Sequence, residues 1–248
     1  MKLRIIGMVS LGIWAGLWRA PVTEAREYLA NQGYETAERG EFEVEVYNDL
    51  NLSDLDNDNT YHSKHQIEFE YGVTDHFQLA YYEVYTWDRT DDWERDAFKV
   101  EAKWRFAEAG EWPFNVALYT EYENPNGRRD VKSDESENKI ILSKDFGPWN
   151  VVGNFVFEKK INTKSHWDYE YTLGTNYHIG PETRMGIELK QELGDSGDFG
   201  FDRGRAFYII PAVYAKIAPH VHLLAGPAFG ISRGSDDVQF KSIVEVEF

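Results

Sequence analysis

Three aspartates, Asp54, Asp56 and Asp58, stand at alternate positions of DLDNDNT (54–60), the spacing with which a calcium loop presents its first carboxylates. Such a loop also needs glycine at 59 for its sharp turn and a bidentate glutamate at 65, where this chain has Asn59 and His65. The stretch reads as a solvated acidic loop, with weak divalent binding as the sharper alternative. His220 and His222 share a strand face but bring no third ligand. GDSGD (194–198) has the outline of a serine nucleophile segment without the following glycine or a His and Asp context. His62 with Ser63, and Ser165 with His166, are sequence neighbours, which a strand sends to opposite faces. No catalytic pair stands out, and neither an enzyme activity nor a cofactor is expected.

What remains is charge in strict alternation. EFEVEVY (41–47) sets Glu43 and Glu45 against Phe42, Val44 and Val46; QIEFEY (66–71) sets Glu68 and Glu70 against Ile67, Phe69 and Tyr71. FKVEAKWRF (98–106) places Lys99, Glu101, Lys103 and Arg105 opposite Phe98, Val100, Ala102, Trp104 and Phe106. Glu170 lies in WDYEYTLGTNY (167–177), Arg184, Glu188 and Lys190 in the segment at 182–193, and Lys241, Glu245 and Glu247 in the last one. Period-two alternation rich in aromatic and β-branched residues is the signature of strands with one apolar face.

Roughly twelve such segments of about 10 residues run from residue 41 to the end: 41–52, 60–73, 76–87, 95–107, 112–124, 137–145, 148–160, 166–178, 182–193, 206–218, 220–232 and 237–248. The least regular is 76–87, where Gln78 and Glu83 fall on opposite parities and a bulge or a lipid-edge position is expected. Short connections (73–76, 107–112, 145–148, 179–182, 217–220) alternate with long ones (52–60, 87–96, 124–137, 159–167, 194–205, 232–237) along the chain.

The first 25 residues carry Lys2 and Arg4, then an apolar run to Trp18, and end on Thr23–Glu24–Ala25. That is the layout of a secretory signal peptide cleaved after Ala25. Its removal takes three bases and one acid, moving the net charge from −17 to −19. So acidic a chain repels nucleic acid, and nucleic acid is set aside as a partner. The absence of cysteine leaves neither disulfides nor thiolate metal sites. Mean hydropathy is −0.56 although 15% of residues are aromatic. Low hydropathy with many aromatics on alternate positions leaves one membrane class open, the closed all-β barrel.

Alternating short and long connections fit a membrane-spanning antiparallel up-and-down β-barrel of about 12 strands over residues 41–248, with short periplasmic turns and long outer loops. Trp112 and Trp149 beside short turns, and Trp87, Trp93 and Trp167 beside long loops, fit aromatic girdles at both interfaces. The terminal SIVEVEF (242–248), through Val244, Val246 and Phe248, resembles the assembly signal of Gram-negative outer-membrane proteins. That resemblance implies the outer membrane as location, and lipid, lipopolysaccharide and the barrel-assembly machinery as partners. EFEYGVTDHFQLAYY (68–82) resembles the strand–turn–strand of the MetA-pathway phenol-degradation outer-membrane family, which implies a channel for hydrophobic or aromatic compounds.

With the apolar parity toward lipid, the charged parity faces the lumen. Barrel closure then makes Glu43, Glu45, Glu68, Glu70, Glu245 and Glu247 one acidic wall, opposed by Lys99, Lys103 and Arg105. Two functions follow: a passive channel for small polar or cationic solutes, or a plugged structural or surface-interaction barrel with acidic outer loops. Residues 26–40 are expected to fill the lumen as a plug or to lie in the periplasm.

Overall fold

The protein is described by a computed structural model that covers residues 26–56, 61–88, 93–125, 133–161 and 163–248. The expected signal peptide, residues 1–25, and Asp58 lie outside the described residues. The strands are β1 (Phe42–Leu52), β2 (Tyr61–Thr74), β3 (Phe77–Asp88), β4 (Glu94–Arg105), β5 (Asn115–Pro125), β6 (Glu135–Phe146), β7 (Trp149–Lys160), β8 (Asp168–Gly180), β9 (Thr183–Asp195), the two-residue β10 (Asp198–Phe199), β11 (Phe207–Ala218), β12 (Val221–Gly230) and β13 (Val238–Glu247). All neighbours pair antiparallel. β10 is a short return onto the end of β9, and the other twelve strands close into a ring through β13 on β1.

A ring has no edge, so every strand backbone finds a partner without water, which is the condition for spanning hydrocarbon. Side-chain alternation does the rest. Phe42 and Leu50 of β1, and Ile67, Phe69 and Tyr71 of β2, are exposed, while Glu43, Glu45, Glu68 and Glu70 between them are buried. Trp112, Trp149, Trp93 and Trp167 are exposed beside the strand ends, as girdle residues should be.

Strand boundaries depart from the alternation by up to three residues. β5 starts at Asn115 rather than 112 because Trp112, Pro113 and Phe114 belong to the turn, and proline has no N–H for the ladder. The irregularity expected in 76–87 sits one strand over: Val84 faces Ala97 and Tyr85 faces Arg95, so Asp96 of β4 is the extra residue. Gln78 points inward and is buried, and Glu83 points outward, where Arg95 Nη2 donates to its Oε1 at 3.0 Å.

The inward parity is not polar throughout. Tyr208, Ile210, Leu224 and Ile243 of β11–β13 are buried and pack with Tyr47, Tyr82 and Leu29 in one cluster. Tyr28, Tyr34, Tyr119, Ile141 and Val152 form a second. The hydrophobic core is thus inside the barrel, built around the segment preceding β1.

β13 ends on the ring seam, with Val246 opposite Val44, Glu247 opposite Glu43, and Phe248 N donating to Phe42 O at 2.9 Å. The exposed Phe248 ring stands 5.9 Å from that of Phe42. Deleting residues 246–248 should therefore open the seam at its short-turn end and lower the yield of folded barrel severalfold. Heat-modifiable gel mobility measures it, and an unchanged folded fraction would refute a closing role for this strand.

Candidate functional site in the lumen

Register turns the sequence alternation into rows. Across the inner wall, Glu247, Glu43, Glu70, Ala80, Glu101, Glu121, Glu137, Glu158 and Asp168 are successive strand partners from β13 to β8. Glu43 lies at the short-turn end of β1 and Glu158 near the long-loop end of β7, so this acidic row climbs the barrel as it winds. A parallel row holds Gln78, Lys103, Tyr119 and Lys139, and another holds Lys99, Glu123, Glu135 and Lys160. Like charges directly across strands repel, and the flanking lysines offset this. Lys99 Nζ lies 2.8 Å from Glu121 and 3.1 Å from Glu123, Lys139 Nζ 2.8 Å from Glu137, and Lys190 Nζ 3.1 Å from Glu170.

Residues 26–37 lie against this wall, and most of them are buried. Glu188 of β9 accepts from the backbone N–H groups of Leu29 (2.7 Å), Ala30 (2.8 Å) and Asn31 (2.9 Å) and from Asn31 Nδ2 (2.8 Å). Asn154 Oδ1 accepts from Gln32 N at 2.6 Å, and Asn154 Nδ2 donates to Gln32 O at 3.0 Å. Tyr28 donates to Asn150 Oδ1 at 2.5 Å, and a Cβ on Gly174 would meet the Tyr28 ring at 2.6 Å, so only glycine leaves room there. Arg26 donates its backbone N–H to Glu245 Oε2 at 2.9 Å, holds its guanidinium 3.7 Å from Glu45, and lies over the Tyr47 ring. Farther along, Glu35 pairs with Arg105 at 3.1 Å and Glu27 pairs with Arg184. Burial pushes both of these carboxyls up, against the pull of their arginines.

Above the segment, toward the long loops, a cavity of about 520 Å³ remains, with Arg26, Leu29, Ala30 and Gln32 in its floor. Its charged lining is Arg26, Lys64, Lys99, Lys139, Lys190 and Lys241 against Asp49, Glu121, Glu123, Glu135, Glu137, Glu158 and Glu192. Six cations against seven carboxylates leave it nearly balanced.

Of the residues singled out from sequence, Lys99, Lys190 and Lys241 line this cavity, and Lys241 pairs with Asp49 at 2.7 Å. Glu170 reaches it through Lys190. Glu43, Glu45, Glu68, Glu70, Glu101, Lys103, Arg105, Arg184, Glu188 and Glu245 are buried. Among them Glu45, Glu245, Glu188, Arg105 and Arg184 hold residues 26–35. Glu247 meets His222 at 3.4 Å, beside Glu245. Of the wall read as one acidic surface, Glu45 and Glu245 therefore seat the N-terminal segment. The carboxylates that line the open cavity are others: Asp49 of β1, Glu192 of β9 and five from β5 to β7, where EYE (121–123) and ESE (135–137) carry the alternation that marks them.

Among the described residues, three groups bring possible metal-ligand atoms within 4.8 Å of one another: Glu68, Glu70 and Glu101; Glu43, Glu45 and Glu245; and His222, Glu245 and Glu247. Tyr47 and Tyr82 donate to the first, and Arg26 occupies the second. In the loop read as a weak calcium candidate, Asp54 Oδ1 accepts from Asp56 N at 2.9 Å, a local turn contact.

No protein-family model matches the chain, and no curated protein matches it. Among solved structures it is similar to the COG4313 outer membrane channel from Pseudomonas putida F1, with a TM-score of 0.65 and 12% identity, covering 89% of this chain and 100% of that one. It is also similar to the KdgM porin (TM-score 0.60, 11% identity, 83% and 99% covered) and the NanC porin (0.56, 10%, 84% and 98%). At such identities the likeness is one of fold, and the fold is that of outer-membrane barrels.

Glu188 is the test of how the segment is held. Glu188→Ala leaves the backbone N–H groups of Leu29, Ala30 and Asn31 without this acceptor and should weaken docking of residues 26–33 by about 3 kcal/mol or more, since hydrogen bonds to a charge contribute about 1.5–3 kcal/mol each. Amide hydrogen exchange at 29–31 should accelerate by about a hundredfold while the strands stay protected. Unchanged exchange would mean the segment is held elsewhere.

Proposed function

We propose that the chain is a channel in the outer membrane of a Gram-negative bacterium that passes small polar or cationic solutes. In this reading residues 1–25 are a cleaved leader, residues 26–40 a plug, and the lumen residues named above its lining. Lipid, lipopolysaccharide and the barrel-assembly machinery are its partners. The observation that carries the reading is the cavity of about 520 Å³, walled by charges of both signs and floored by the chain's own N-terminal segment. Such a lining suits hydrated ions and polar solutes and disfavours the aromatic compounds implied by the resemblance at 68–82.

The reading also includes cleavage after Ala25, and one observation is consistent with it. Arg26 would then be the first residue, and its nitrogen, 2.9 Å from Glu245 Oε2, would be an ammonium with three donors. Glu43 Oε1, buried in the same group of carboxylates, has no hydrogen-bond partner. A second positive charge answers a surplus of three carboxylates against one guanidinium.

The alternative, a plugged structural barrel, is favoured by one observation: the hydrogen bonds of residues 28–32 to β7 and β9. Conductance in planar bilayers separates the two. The parent should conduct in small steps, and Glu188→Ala should conduct severalfold more. A silent parent with a conducting variant would favour the structural barrel, and silence in both, with folded protein, would reject the channel.

Selectivity should be weakly cationic, given seven carboxylates against six cations, and should fade as the Debye length falls from about 10 Å at 0.1 M salt to about 3 Å at 1 M. Glu135→Gln with Glu158→Gln should move the reversal potential under a salt gradient toward anions. Anion preference in the parent would contradict the proposed solute class.

A further inference from the structure

On the outer wall a second constellation stands apart from the lumen. Ser63 and His65 are two residues apart on β2 and share a face; Asn48 of β1 is the direct strand partner of His65. His65 Nε2 lies 3.2 Å from Ser63 Oγ, and His65 Nδ1 lies 2.9 Å from Asn48 Oδ1. The amide oxygen can only accept, so Nδ1 carries the proton and Nε2 is left as an acceptor for the Ser63 hydroxyl. Nucleophile, base and orienter are therefore in hydrogen-bond order.

All three belong to the parity of Ile67, Phe69, Phe42 and Leu50, the apolar outward face. They open into a groove of about 840 Å³ whose lining includes Trp87, Trp93, Leu50, Pro227 and Phe240. The Trp93 ring lies tilted against that of His65 at 4.7 Å, and the Tyr61–Trp87 pair at 5.6 Å marks the long-loop interface just above. An apolar groove with a few convergent polar groups is the usual form of a small-molecule site. Here its position adds that the molecule must arrive from the membrane, with apolar chains along the aromatic wall and a polar linkage at the depth of Ser63. The adjacent pair His62–Ser63 gives no such arrangement, and the i, i+2 spacing of Ser63 and His65 does.

We propose that Ser63, His65 and Asn48 form a hydrolytic site for carboxylic esters of membrane lipids, with Ser63 and His65 as catalytic residues and Asn48 as a positioning residue. Ser63 Oγ bonds to the ester carbonyl carbon while its proton passes to His65 Nε2. The carbon–oxygen bond to the alcohol then breaks, and His65 returns the proton to the leaving alkoxide. Water attacks the acyl-serine by the same route, releasing the fatty acid and restoring Ser63. The balance is ester plus water to acid plus alcohol.

The test uses the full folded barrel in mixed micelles, with fatty-acid release followed from diacyl phosphatidylethanolamine in one arm and from lipid A in the other. A fluorophosphonate should label the parent at Ser63, located by peptide mass. Ser63→Ala and His65→Ala should each lose about a hundredfold or more of the release, the scale of a missing general base or nucleophile. Asn48→Ala should lower kcat with little change in KM, and Asn48→Asp should restore part of it. Ser196→Ala, in a distant loop, should retain parental activity. Release from the phospholipid arm alone, or from lipid A alone, identifies which ester is the substrate. No labelling at Ser63 on protein shown folded by gel mobility would overturn the proposal, as would release from both lipids that Ser63→Ala leaves intact.

Discussion

The pairing of β13 with β1 is the constraint on which everything else rests. It joins ten successive residue pairs, from Glu43 opposite Glu247 to Leu52 opposite Val238. Without it two strands would present unpaired N–H and C=O groups to hydrocarbon, at several kcal/mol each. With it the lumen width is set by strand number and stagger. Twelve strands enclose more than an eight-stranded barrel, which side chains can fill, and less than a porin of sixteen to eighteen. A lumen of that size calls for something longer than side chains and shorter than a domain. Residues 26–37 meet that need with Tyr28, Leu29 and Tyr34.

Closure also sets which charges meet. In an untwisted ladder the glutamates of one parity would face lysines or carboxylates at one level only. Because the rows climb, one acidic row links the short-turn end to the long-loop end, with lysine-bearing rows on either side. Buried pairs of this kind contribute little net stability, since desolvation offsets their attraction. Their consequence is positional: lysines held at 2.8–3.1 Å from glutamates leave a defined open space above the segment.

Much of this was legible in the alternation. Short strands such as QIEFEY declare both faces because each parity is chemically pure, and turns such as DFGP bracket them. FYII (207–210) declares neither, since both parities are apolar, and that is where the inward face departs from the polar expectation: Tyr208 and Ile210 pack on Leu29. The place of residues 26–37 was illegible for a different reason. Its partners Glu188, Asn154 and Glu245 are separated from it by more than a hundred residues, and no local period encodes them. Side chains that looked like a solute wall, such as Glu45 and Glu245, are ligands for the chain itself.

The same logic of parity explains why chemistry could sit on the outside unnoticed. On a lipid-facing strand a polar residue is costly unless its partners lie on the same face, and the nearest such positions are two residues along or directly across. Ser63, His65 and Asn48 occupy those positions and satisfy one another, whereas Glu83 on the same outer surface is answered across the ladder by Arg95. Both solutions make an outward polar group tolerable, but they leave different remainders. The Glu83–Arg95 pair engages both carboxylate oxygens. The Ser63–His65–Asn48 chain ends on a serine oxygen whose proton has somewhere to go, facing the apolar groove on the outer wall.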